Sequence, residues 1–376
     1  MSDTRNKLEW IQSLRGVAVI LVVLTHARYY FLDTPLWGMA EQVLLPGAMG
    51  VDLFFVISGF IMVYTTRDSD GSLGYAGDFM LKRFARIWPA YAVVTVAWLV
   101  VAYDGFAFFR DPGNVHNFLL SLSFIPVNPA SPLYFNVTLP LGWTLEFEMY
   151  FYVIFAVSLL FKRLRWVALA GWILFTVLAI PSMKRELTYD VMTNFNFTFG
   201  YLNLMTNPIV LEFLAGALIA WLYLQKWFVI RSESLCRHLL FLSIGGALWY
   251  VYSGLANFHG PLKWGAAMAL MVLGMALASK TIRLVPPRLL VWLGTISYSL
   301  YLTHTTTQAV VTRYVERFGG YTHGWTHIFL TTVIAISVAA LAHHLLEVRL
   351  SGFVRRLLER AAGSLRRRFP TGATRA

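Results

Sequence analysis

Residues 11–31 read IQSLRGVAVILVVLTHARYYF, an apolar run long enough to cross a bilayer as one helix. Lipid leaves such a run one solution, because it offers the backbone no hydrogen-bond partners and a helix satisfies every N–H and C=O internally. Further apolar intervals fall at 43–64, 84–104, 143–161, 164–182, 207–224, 238–256, 262–279, 289–311 and 326–347. Of the 376 residues, 57% are hydrophobic and 13% charged, about half the charge of a soluble domain. The pattern predicts an all-α, polytopic membrane protein of about ten transmembrane helices. Residues 1–347 form its transmembrane domain and 348–376 a basic amphipathic tail. The fifth and eighth runs read as ordinary lipid-facing sequence.

Charge sets the orientation. Lysine and arginine recur at Arg5 and Lys7, at Arg67, Lys82 and Arg83, at Lys162, Arg163 and Arg165, and at Lys226, Arg231 and Arg237. They return at Lys280, Arg283 and Arg288 and throughout the tail. The alternate loops hold Arg110, Lys184, Arg185, Arg313 and Arg317. The positive-inside bias places both termini in the cytoplasm, and the net charge of +12 reads as topology rather than nucleic-acid binding. A first run this long is no signal-peptide core, so it stays as helix one. The single Cys236 excludes an internal disulfide framework and a multi-cysteine metal site. No metal is predicted: His343 and His344 are neighbours and cannot share a helix face. No internal repeat is evident, which argues against a transporter of inverted halves.

Two regions lie outside the runs. In the tail, Leu350, Phe353, Val354, Leu357, Leu358 and Leu365 keep helical spacing among arginines. That predicts a helix on the inner membrane surface, with partner docking as the alternative. Residues 105–142 are rich in proline and aromatics, with an apolar piece at 118–125 too short to span. Phe106, Phe108, Phe109, Phe124, Tyr134 and Phe135 read as an interfacial belt, or else as platforms for sugar rings.

Ionisable residues inside spans need a reason. Arg15 and His26 are eleven residues apart, close to three whole turns, so they share one face roughly 16 Å apart along the axis. The alternative is a snorkelling arginine and an unrelated packing histidine. With the orientation above, His26, Asp52, Glu148, Glu212 and His304, from five different helices, fall in the outer half. Arg15, Arg83 and Arg86 fall at the cytoplasmic end, and Arg83 and Arg86 share a face. Paired guanidiniums suit phosphate. A long ligand with a phosphate head and a reactive tail would join the two layers, and coenzyme A thioesters have that shape.

Several stretches complete the reading: SLRGVAVILVVLTHA with its Arg-x10-His, GVDLFFVISGFIM, KRFARIWP with Arg-x-x-Arg, GWTLEFEMYFY, NPIVLEFLAGALIA and LGTISYSLYLTH. Together, from about residue 8 to 347, they resemble the acyltransferase-3 family of bacterial membrane acyltransferases, and most of all its exopolysaccharide-acetylating branch. The resemblance implies transfer of an acyl group, acetyl above all, from cytoplasmic acetyl-CoA to a hydroxyl of an extracytoplasmic or lipid-linked saccharide. It implies an inner-membrane location and polysaccharide-assembly proteins as partners. It makes His26 the catalytic histidine and Glu148 the matching acid. Glu148 is expected to orient the imidazole, Arg15, Arg83 and Arg86 to hold acyl-CoA, and Asp52 and His304 to support the site. Glu212 is read as structural. The competing class is a transporter or flippase of a lipid-linked saccharide, which also needs polar groups at depth and a basic inner face.

Overall fold

The computed structural model describes residues 8–102, 105–184 and 186–368. Arg5, Lys7, Arg185 and the last part of the tail, 369–376, lie outside them. Among the described residues there are helices and no strand. Helices occupy all ten apolar intervals. Six helical stretches of the described residues are long and apolar enough to cross a membrane: Glu9–Phe31, Trp37–Thr65, Leu73–Ala102, Lys162–Met183, Glu233–Tyr252 and Gly324–Gly363. A seventh consists of Gly200–Thr206 and Val210–Leu224, bent by 46° at the Asn207–Pro208 break.

The elements used below are α1 (Glu9–Ala27), α2 (Met49–Thr65), α3 (Leu73–Ala102), α4 (Pro112–Leu122), α5 (Trp143–Leu159), α6 (Val210–Leu224) and α7 (Trp264–Ala278). After them come α8 (Arg288–Thr295), α9 (Ser297–Arg317), α10 (Gly324–Ala342) and α11 (Ser351–Arg368). Helix α2 is the centre. It packs on α1, α5, α6 and α7, and Leu53, Val56, Phe60 and Val63 are fully buried. A helix apolar on every side belongs inside.

Small residues set the crossings, as they do where lipid gives no hydrophobic drive for association. A Cβ on Gly59 would lie 2.0 Å from the Phe213 carbonyl oxygen, and one on Gly216 would lie 1.9 Å from that of Val56. Only glycine at both positions lets α2 and α6 approach this closely. Gly16 plays the same part where α1 meets α8, with Leu290 O 2.2 Å from the missing Cβ. The residue before it is Arg15, so this contact fixes where the guanidinium starts.

Two expectations change here. The eighth run is not lipid-facing: α7 is 15 residues long and buries Trp264, Ala267, Met268, Met271 and Val272 against α2 and α6. The fifth does face outward, with only 28% of Lys162–Met183 buried. The tail begins no separate element. A 40-residue stretch, Gly324–Gly363, passes through a wide-turned segment, His343–Leu350, straight into α11, which packs on α3.

The long segment 105–142 is also more than a surface loop. Asp111 caps α4 by accepting from Gly113 N at 2.8 Å. The end of α4 then meets the middle of α3: Trp88 Nε1 donates to Leu122 O (3.0 Å) and Tyr91 Oη to Ser121 O (3.2 Å). Trp88 lies fourteen residues from the end of α3, roughly 20 Å along the axis. The segment thus re-enters the bundle, where non-helical backbone is tolerated only when protein surrounds it. Leu133, Phe135 and Leu139 are fully buried on the way out. Phe124 (φ 55°), Leu133 (66°) and Phe135 (50°) are left-handed, a conformation that costs a non-glycine residue about 1–2 kcal/mol. Packing therefore dictates this path. Of the aromatics read as a belt, Phe106 is exposed, whereas Phe108, Phe124 and Phe135 are core.

Candidate active site

Helices α1 and α9 lie side by side, and the predicted face of α1 is the one that meets α9. Arg15 donates from Nη2 to Ser297 Oγ at 2.8 Å. Eleven residues on, the His26 ring meets His304 of α9, with Nδ1 3.4 Å from Nε2. The bend at Ile296, between α8 and α9, puts Ser297 opposite Arg15.

At the arginine end lies a cleft of about 770 Å³, counted with the part open to solvent. Arg15, Arg83, Arg86, Glu148, Tyr152 and Tyr298 are among its walls. Arg83 lies over the rings of Phe79 and Tyr152, 5.3 and 5.5 Å from their centres. Tyr298 Oη donates to Ile87 O (2.8 Å), tying α9 to α3. Three guanidiniums and one carboxylate leave the chamber net positive, as an anionic guest requires.

Glu148 belongs to this chamber. It accepts a hydrogen bond from Tyr152 Oη and faces Ser58 Oγ at 3.5 Å. Its charged neighbours are Arg15 and Arg83. The structure brings Glu148 to the arginines and brings His304 to His26. The sequence pairs Glu148 with His26 because both sit a few residues from the same membrane face. That reckoning ignores which way each helix turns its side chain.

The histidine pair fixes its own protons. His304 Nδ1 lies 3.1 Å from Leu300 O and 2.8 Å from Tyr301 O. Carbonyls only accept, so Nδ1 carries the hydrogen and Nε2 of the neutral ring keeps a lone pair. That lone pair faces His26 Nδ1, which also lies 2.9 Å from Val22 O. His26 Nδ1 is therefore the donor, and His26 Nε2 is left with the free lone pair. His26 is half-buried while His304 is fully buried. Among the described residues lining the arginine cavity, neither histidine is present. Tyr301 lines its far end, bonded to Thr144 (2.9 Å), with its ring 6.1 Å from that of His304.

Asp52 is elsewhere. It is fully buried and accepts from His259 Nδ1 (2.7 Å) and Gly260 N (3.2 Å), both in the loop before α7. Glu212 is buried beside it. Sequence reasoning missed His259, because a lone histidine in a short loop has no periodicity to give it a face. It also missed Tyr152, although Glu148 and Tyr152 are four apart and share a helix face.

A family model described as an acyltransferase domain matches residues 8–344. The chain belongs to the acyltransferase-3 family. This acyltransferase is 34% identical over 274 residues to the exopolysaccharide production protein ExoZ of Rhizobium meliloti, covering 71% of the chain and 78% of the relative. It is 28% identical to nodulation protein 10 of Rhizobium leguminosarum, over 89% of the chain and 90% of that protein. Identity to the peptidoglycan O-acetyltransferase OatA of Listeria monocytogenes is 25%, over 80% of the chain but 49% of that longer protein. No solved structure matches the chain.

Proposed function

We propose that this acyltransferase moves an acetyl group from acetyl-CoA, taken up on the cytoplasmic face of a bacterial inner membrane, to a saccharide hydroxyl presented from the other side. The positive-inside charge pattern, with both termini inside, gives the arginine end to the cytoplasm. The observation that carries the reading is the α1–α9 interface. One face joins a net-positive chamber at Arg15 to a base with a free lone pair at His26, roughly 16 Å away. ExoZ and OatA are named for exopolysaccharide production and peptidoglycan O-acetylation, which supports a polysaccharide acceptor. Polysaccharide-assembly proteins are the natural partners.

In this reading Arg15, Arg83 and Arg86 hold the phosphates of the donor through charge-assisted bonds. Glu148 balances them and fixes Tyr152. The thioester reaches past Tyr301 towards His26. The acceptor hydroxyl gives its proton to His26 Nε2 as its oxygen attacks the thioester carbonyl. The C–S bond breaks, the thiolate takes the proton back from His26, and an O-acetyl ester and free coenzyme A result. His304 is a positioning residue, since its lone pair holds the His26 tautomer that makes Nε2 the base. Asp52, His259 and Glu212 pin the loop before α7 to α2.

The test is transfer across a sealed membrane. Proteoliposomes given radiolabelled acetyl-CoA on the side of the termini should acetylate exopolysaccharide on the opposite side. A reporter active only outside the cytoplasm should be silent after Ala376 and active within 113–132. Protein that binds no acetyl-CoA yet moves lipid-linked saccharide would replace this reading with a flippase.

A further inference from the structure

The family match ends at residue 344, yet the helical rod continues, and beyond that point it walls a second, open cleft of about 1340 Å³, solvent space included. This space lies between the first turns of α3, the end of α2 and the rod that runs into α11. Lys82, Arg83 and Arg86 from α3 and Arg355 from α11 line it, with Asp78, Glu347 and His343, whose Nδ1 lies 3.1 Å from Glu347 Oε1. Glu347 already accepts from Ser299 N (3.0 Å) and Ser299 Oγ (2.5 Å). Those bonds anchor the rod two residues from Ser297, the partner of Arg15. Arg355 is half-exposed, and among the described residues its ion pair is with Glu359 through Nε.

Arg83 and Arg86 line both cavities. They stand between an outer mouth and the buried chamber, so a ligand held by them extends both ways. The wide-turned segment His343–Leu350 precedes the mouth. Such segments shift the register of everything after them and occur often at functional sites. Here the result is an arginine of α11 set across a gap from Lys82.

Resting on the donor reading above, we infer that α11 is a wall of the donor site and that Arg355, with Lys82, binds the phosphorylated nucleotide half of acyl-CoA. The diphosphate that joins the two halves then lies at Arg83 and Arg86, and the pantetheine arm runs on into the chamber. The shared chemistry is a phosphate ester, which an anionic lipid headgroup also offers, and the test separates the two.

Two donors carry the same thioester, acetyl-CoA and S-acetyl-4′-phosphopantetheine, and only the first has the nucleotide. In nanodiscs of zwitterionic lipid, Arg355→Ala should raise KM for acetyl-CoA about tenfold, the usual scale for one lost bond to a charged group. It should leave kcat and the KM for the truncated donor unchanged. Arg355→Lys should recover part of the loss. Adenosine 3′,5′-bisphosphate should compete with acetyl-CoA on the wild type and markedly less on the alanine variant. An equal change for both donors, or none for either, would overturn the inference. So would a loss confined to nanodiscs containing phosphatidylglycerol, which would make α11 a headgroup anchor. Wild-type protein that fails to bind acetyl-CoA would instead remove the donor reading beneath it.

Discussion

The two ends of the α1–α9 interface are built in opposite ways. At Arg15 the contact opens onto a chamber with three guanidiniums, a carboxylate and space for a guest. At His26 the contact is closed and neutral, and each imidazole proton goes to a backbone carbonyl or to the other ring. Charge and volume suit binding, which needs complementarity to a ground-state ligand. A locked tautomer suits proton transfer, which needs one lone pair in one place. On the proposed reading, separating the two along one helix face would let a donor be gripped tightly without the grip disturbing the base.

That comparison makes the two ends separable by kinetics. The largest effect belongs to His26. His26→Gln keeps a hydrogen-bonding side chain but cannot take a proton, so kcat should fall by about 10²–10⁴. Acetyl-CoA binding, measured by calorimetry on the purified protein, should stay within error of the wild type. A glutamine variant with near-normal turnover would make His26 a spacer and erase the contrast.

The arginine end should show the converse. If Arg83 and Arg86 hold the donor's phosphates as proposed, Arg83→Ala or Arg86→Ala should lower acetyl-CoA affinity about 10- to 100-fold. Turnover at saturating donor should change little, and lysine should restore only part of the affinity. Alanine variants that bind the donor as tightly as wild type would reduce both residues to topological anchors.

The smallest effect on catalysis is expected away from both ends. His259→Ala leaves the Asp52 carboxylate buried without its side-chain partner, at a cost of about 1–3 kcal/mol. The variant should melt at a lower temperature in detergent and still turn over normally when folded. A variant of unchanged stability that has lost activity would move the Asp52–His259 pair into the chemistry and add a third member to the comparison.

The sequence by itself determined what lipid and helix geometry dictate together. Apolar runs had to become helices, because the backbone has no other partner in a bilayer. An eleven-residue spacing had to put Arg15 and His26 on one face, because 3.6 residues make a turn. The paired spacing of Arg83 and Arg86 likewise put them on one wall. What lay between helices was not legible. Depth along an axis placed Glu148 level with His26, but the rotation of α5 about its axis sent the carboxylate to the arginines, and that rotation follows from how α5 packs on α3 and α2. His304 became the partner of His26 through a side-by-side contact between helices some 280 residues apart in sequence. The re-entrant segment around Leu122 and Phe135, and the arginine that α11 brings to the mouth, arise the same way. Hydrophobic periodicity reports which residues avoid water, whereas which buried groups meet is settled only when the whole bundle has closed.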